Sequence, residues 1–205
     1  MIVASLLTTL GLVGLAQGAA IASSASPGQI KCYAPMVKNG IVYYGSPTVA
    51  SYTNQIGVVD AYGNAPLLAQ YPNQNVDSLK VNAVPCTSKY LNYTGASIFT
   101  NHSLPVILFA ADGSSDCLQL QSSSATNVFI VKQSCDMTDG PNQTNQFWTK
   151  DLRTGSYMPT GSKQPAAPWN LQFNDYDSIE VLANPPNCPT NQICQNDQHI
   201  AFYVK

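Results

Sequence analysis

The sequence predicts a single all-β domain, a sandwich or a barrel, stapled by disulfides and preceded by a cleaved export signal. Three observations lead there. From Ile30 onward the apolar residues come in β-branched and aromatic runs of about five, each bounded by Gly, Pro, Asn or Asp. Beyond the N-terminal segment, no stretch sustains the i, i+3, i+4, i+7 spacing of an amphipathic helix. Six cysteines, an even number, all lie downstream of that segment, as an oxidised export product requires.

The N-terminal segment comes first. Met1 to Ala20 holds no charged side chain; an apolar run from Ile2 to Ala16 leads into the small residues Gly18, Ala19 and Ala20. This is the anatomy of a secretory signal peptide, assigned to residues 1–20. A membrane anchor is the rival, but the apolar run is shorter than the ~20 residues a spanning helix needs, and Thr8, Thr9 and Gln17 interrupt it. Residues 21–29 read as a flexible lead and 30–205 as the folded domain. No later stretch is apolar enough to span a membrane.

Strands are then expected in order. Ile41–Tyr44, Val49–Tyr52 and Ile56–Val59 are the first cluster. Leu79–Val84 alternates apolar with polar or small residues. Val106–Phe109, Cys117–Leu120, Val128–Val131 and Phe147–Trp148 follow. Trp169–Phe173, Ile179–Leu182 and Ile200–Val204 close the series. Turn dipeptides such as Asp112-Gly113 and Asp139-Gly140 separate them. Without a linker or a composition break, one domain is expected.

Charge narrows the partners. Among 205 residues there are 9 Lys plus Arg and 11 Asp plus Glu, so 10% are charged, against roughly 25% in an average soluble domain. Nucleic-acid binding needs clustered Lys and Arg and is not expected. Disorder is excluded by 44% hydrophobic residues and the lack of charge runs. An uncharged surface rich in Asn, Gln, Ser and Thr suits an extracellular protein. Three N-glycosylation sequons, at Asn92, Asn101 and Asn142, agree with export to the outside of a eukaryotic cell. Sequence order suggests the cysteine pairs Cys117–Cys135 and Cys188–Cys194, leaving Cys32–Cys86, although six cysteines admit many other pairings. No metal is expected, because Cys188 and Cys194 with the lone His199 do not match a ligand spacing, and no cofactor motif is present.

The stretch Asp116 to Trp148 is the most informative. It reads Cys117-Leu118-Gln119-Leu120, then a strand ending Lys132-Gln133-Ser134-Cys135, then Asn145-Gln146-Phe147-Trp148. This resembles one repeat of the ricin B-chain lectin family, whose fold is a β-trefoil of three such units. Ser78–Cys86 and Gln198–Tyr203 echo fragments of the same repeat. The resemblance implies a β-trefoil-like domain, a bond between Cys117 and Cys135, a core position for Trp148 and a backbone-tying role for Gln146. It also implies a sugar site. Family sites use an acid two residues after the first Cys, an aromatic two before the second, and the Asn-Gln pair. Here those positions are Gln119, Gln133, Asn145 and Gln146, so the carboxylate and the stacking ring are both replaced by amides. Amides make weaker contacts to hydroxyls than a carboxylate does, and without a ring there is no apolar face for the sugar. Tyr43, Tyr44, Tyr90 and Tyr93 are alternative platforms, though tyrosines in strands commonly serve packing.

Catalysis is not expected. His102 lies inside a sequon, His199 opens the last strand, and no Gly-x-Ser-x-Gly elbow is present. The acids group as Asp112 with Asp116, Asp136 with Asp139, and Asp175 and Asp177 with Glu180, which is what turns ordinarily use. The sequence therefore points to a secreted, lectin-like module that binds glycans or glycoproteins. Its alternatives are a structural or protein-interaction β-trefoil that has lost sugar binding, and a small secreted glycoside hydrolase.

Overall fold

The structure is a computed structural model that describes residues 28–45, 52–58, 67–69, 78–94, 102–125, 128–163, 169–173, 181–184 and 201–205. The export signal, Asn101, Cys188, Cys194, His199 and the Asp175, Asp177 and Glu180 group lie outside the described residues.

Thirteen strands are formed there: β1 (Lys31–Cys32), β2 (Val37–Gly45), β3 (Tyr52–Val58), β4 (Leu67–Ala69), β5 (Lys80–Thr87), β6 (Ser103–Ala110), β7 (Asp116–Leu120), β8 (Val128–Ser134), β9 (Phe147–Asp151), β10 (Tyr157–Pro159), β11 (Asn170–Phe173), β12 (Val181–Asn184) and β13 (Ala201–Val204). A single helical turn, α1 (Gln143–Gln146), is the one helix among the described residues. The expected all-β class is what is observed.

Six strands close on themselves through antiparallel ladders, in the order β5, β2, β13, β10, β9, β6 and back to β5. Closure removes the free sheet edges that an open sheet would expose. The remaining pairs β3/β4, β7/β8 and β11/β12 are hairpins, each inserted in the chain between two barrel strands. Along the chain, the order barrel strand, hairpin, barrel strand occurs three times.

Two cores share the barrel wall. The inner one holds Val42, Val81, Ala83, Leu104, Val106, Leu108, Trp148, Tyr157 and Phe202 from barrel strands, joined by Leu118, Leu120, Val128 and Ile130 from the β7/β8 hairpin. The outer one holds Ile30, Val84, Cys86, Leu91, Tyr93, Ile107, Cys117 and Phe147. Strand β6 serves both: Leu104, Val106 and Leu108 face inward and Ile107 faces outward. Successive side chains leave opposite faces of a strand, so a strand covered on both sides must be apolar at both parities. That is why this segment is a continuous apolar run rather than an alternating one.

Both described disulfides border the outer core. Cys32–Cys86 ties β1 to β5 with Cα atoms 4.1 Å apart, and Cys117–Cys135 closes the base of the β7/β8 hairpin at 5.5 Å. Gly28 and Gln29, at the end of the lead, are already held: Gln29 bridges to Thr138, and Asp139 N–H donates to Gly28 O over 2.6 Å. Strands β1, β4 and β10 were not expected from sequence. They have two or three residues each, too few to display a period, and β10 ends on Pro159, which reads as a breaker. Pairing with β9 on one side and β13 on the other makes β10 a strand.

Candidate functional site

Hairpin β7/β8 and turn α1 bring the sequence-derived site residues into one region, but not into one constellation. The ladder runs Asp116 opposite Ser134, Cys117 opposite Gln133 and Gln119 opposite Val131. Gln119 shares the face of Cys117 and is 5% exposed. Its Nε2 donates to Gln133 O at 3.2 Å and Ser134 O at 3.1 Å, so the amide is folded back onto β8 instead of facing outward. Gln133 itself is half-buried, with no side-chain hydrogen bond among the described residues.

Gln146 is fully buried. Its Oε1 accepts Asp136 N–H at 2.9 Å, and its Nε2 donates to Asp136 O at 2.5 Å and Gln143 Oε1 at 2.7 Å. Gln143, also buried, donates to Asp136 O at 2.7 Å and to Thr138 O. The two glutamines thus satisfy the backbone of the 136–138 turn, which keeps buried peptide groups paired. Gln119 Nε2 and Gln146 Oε1 flank the Cys117 sulfur at 4.0 and 3.8 Å. Trp148 lies beyond them in the inner core, its Nε1 donating to Leu118 O at 2.8 Å and its ring stacked on Phe202 with centroids 5.4 Å apart.

Asn145 differs from its neighbours. Its N–H donates to Asn142 O at 3.0 Å, but its side-chain Oδ1 is buried with no hydrogen-bond partner. Thr144 beside it bonds Ser123 Oγ at 2.7 Å and Pro141 O at 2.8 Å, drawing the β7–β8 connection onto the helical turn. Unpaired buried acceptors are uncommon and costly.

Asn142 is exposed, and its Nδ2 donates to Asp136 Oδ2 at 2.8 Å. The Thr138 hydroxyl most of all, then the Thr138 N–H and the Asn142 amide, hold the Asp136 carboxyl below its ordinary value, with burial opposing. The second sequon residue within the described part, Asn92, is exposed and left-handed in the turn after β5.

The remaining acids of the described residues work in turns and ion pairs. Lys132 meets Asp112 and Asp116, the latter at 4.0 Å, and with Ser114 holds the Asp112 carboxyl well below the usual range. Asp151 binds Arg153 at 3.3 Å. His102 is exposed at a left-handed position. Among the tyrosines, Tyr93 is buried and stacked on Phe147 at 5.7 Å, and Tyr90 lies under Lys163 Nζ at 3.8 Å from its ring centre. Tyr43 and Tyr44 are half-buried in β2.

Sequence reading missed Gln143 and Asp139. Gln143 carries no motif signal, and Asp139 looks like the start of an ordinary Asp-Gly turn. Asp139 instead accepts from Ser88 Oγ, Lys89 N–H and Tyr90 N–H in another connection.

No protein-family model, curated protein or solved structure matches this chain.

Proposed function

We propose that this protein is a secreted, non-catalytic carbohydrate-binding module of ricin-B-like β-trefoil type, with its site around Asn145 and Gln133. The threefold order of barrel strand, hairpin, barrel strand supports the trefoil reading, as do the backbone-tying Gln146 and the core position of Trp148. Disulfides at Cys32–Cys86 and Cys117–Cys135 are compatible with an extracellular location.

One observation carries the sugar-binding reading: Asn145 Oδ1 is an acceptor without a donor, and vicinal hydroxyls are donors of the kind it lacks. Gln133, half-buried and without a side-chain hydrogen bond among the described residues, is the second polar group that this reading assigns to the site. The reading of a structural or interaction β-trefoil rests on a different observation. Gln119, at the position where the family uses a carboxylate, has spent its amide on the β8 backbone.

A glycan array probed with the oxidised protein, made with and without the Asn142 sequon, separates the two. Binding that disappears in Asn145→Ala supports the lectin-like reading. Silence of both samples leaves the interaction module.

A further inference from the structure

A second feature lies at the end of strands β6 and β9 away from the β7/β8 hairpin. Lys150 follows Trp148 by two residues on β9 and therefore leaves the same face of the strand, the one turned into the barrel. Its ladder partners are Leu104 on β6 and Tyr157 on β10; Tyr157 in turn opposes Phe202, and Phe202 opposes Tyr44. Directly opposed residues share a face. A stripe across five neighbouring strands thus reads Leu104, Lys150, Tyr157, Phe202, Tyr44, with one cation among aliphatic and aromatic side chains.

The lysine has no carboxylate within ion-pair distance among the described residues, unlike Lys132 and Arg153. Lys150 Nζ lies 5.3 Å from the Tyr157 ring centre and 3.7 Å from Met36 Sδ, a weak acceptor. Burial lowers its amine below the ordinary lysine value. Beside it, the Tyr157 hydroxyl is buried with no hydrogen-bond partner. Burial pushes that phenol up to about 12, so it is a donor at any ordinary pH. Met36, 39% exposed, stands at the outer side of the pair.

An ammonium held only by a thioether and a ring face, and a hydroxyl without a partner, have one complement in common, an anionic acceptor, and their neighbours are apolar. We propose that this end of the barrel binds a small organic carboxylate with a short apolar tail, the carboxylate received by Lys150 and Tyr157 and the tail by Leu104 and Met36. The four rotatable bonds of the lysine stem let its ammonium swing off the Tyr157 ring to admit the ligand.

Hexanoate is the probe, titrated calorimetrically into the full oxidised chain, with acetate and inorganic phosphate as comparison arms. Hexanoate is expected to bind saturably and more tightly than acetate. Lys150→Gln weakens it about tenfold or more, the cost of one charge-assisted bond. Tyr157→Phe weakens it several-fold yet melts no lower than the parent, because that change deletes a hydroxyl that is unpaired in the free protein. Should the Lys150 variant not fold, the Tyr157 variant decides alone. Absence of saturable hexanoate binding overturns the proposal, as does equal binding by both folded variants. Preference for phosphate over hexanoate overturns the carboxylate-and-tail assignment.

Discussion

Asp139 caps a turn that begins at Ser88, 51 residues earlier in the chain: Ser88 Oγ donates to Asp139 Oδ1 over 2.5 Å. The same carboxylate accepts the Lys89 N–H at 2.9 Å and the Tyr90 N–H at 3.2 Å. Leu91 N–H then bonds Ser88 Oγ at 3.1 Å, and Leu91 is buried in the outer core. Asp139→Ala is expected to cost roughly 1–3 kcal/mol, because it leaves several donors without an acceptor at once. Ser88→Ala should cost less, since both backbone donors keep the carboxylate. Urea unfolding of the two variants checks the ranking; equal stability of Asp139→Ala and the parent would show the cap to be idle.

Gly161 is the tightest glycine in the described structure. It has φ +65°, and a Cβ there would come within 1.9 Å of the Trp169 indole nitrogen. Trp169 is itself buried and its backbone N–H donates to Pro159 O at 2.8 Å, so its main chain is anchored and its ring is enclosed by the core. Gly161→Ala combines left-handed strain with a steric clash and is expected to destabilise by about 2 kcal/mol or more. Thermal melts followed by tryptophan fluorescence read this directly. Gly113, at φ +86° but with open space around it, should suffer the strain alone and lose less.

Asp136 predicts an acid limb in the stability profile. Its carboxyl is held below the ordinary value by Thr138 and Asn142, so the folded state binds a proton less readily than the unfolded chain does. Such a group contributes its full stability above the unfolded carboxyl value, near pH 4, and loses it as pH falls through the lower folded value. Asp136→Asn should flatten that limb without altering the pairing of the Asp136 backbone with Gln143 and Gln146. Denaturant midpoints at pH 7, 4 and 2.5 test this. A variant as acid-sensitive as the parent would assign the limb to other carboxylates.

Cys117 and Cys135 close a loop of 18 residues. In the chain-entropy account a cross-link over that separation stabilises by about 3 kcal/mol. The double replacement Cys117→Ser with Cys135→Ser should lower the denaturant midpoint accordingly. Peptide mapping under non-reducing conditions should join Cys117 to Cys135 and Cys32 to Cys86; any exchange between these partners contradicts the fold.

Much of the architecture was legible in the residues because strand runs and turn dipeptides are local. Val106–Phe109 and Cys117–Leu120 declare themselves as strands by composition alone, and both fall within observed ones. Strand β10 could not be read, since Tyr157-Met158-Pro159 becomes a strand only when β9 and β13 both offer it ladders. The candidate site was legible in part. Gln119 is legible as the residue at the position where the resemblance expects a carboxylate, but its burial against Gln133 O and Ser134 O depends on how the hairpin closes. Asn145 looked like one half of an Asn-Gln pair, yet the pair splits. Gln146 is consumed by the 136–138 turn, and Asn145 keeps a free buried acceptor.

By itself the sequence determined the all-β class, the sparse charge and the even cysteine count, all properties of composition and short-range pattern. Tertiary structure alone decided which strands close the barrel and which face of each strand is inside. It set Lys150 in an apolar stripe beside Tyr157, and it sent Asp139 to cap a turn in another connection. The physical reason is common to these cases. A side chain's chemistry is local, whereas its partners are set by ladders between strands tens of residues apart, and only the closed barrel brings those strands together.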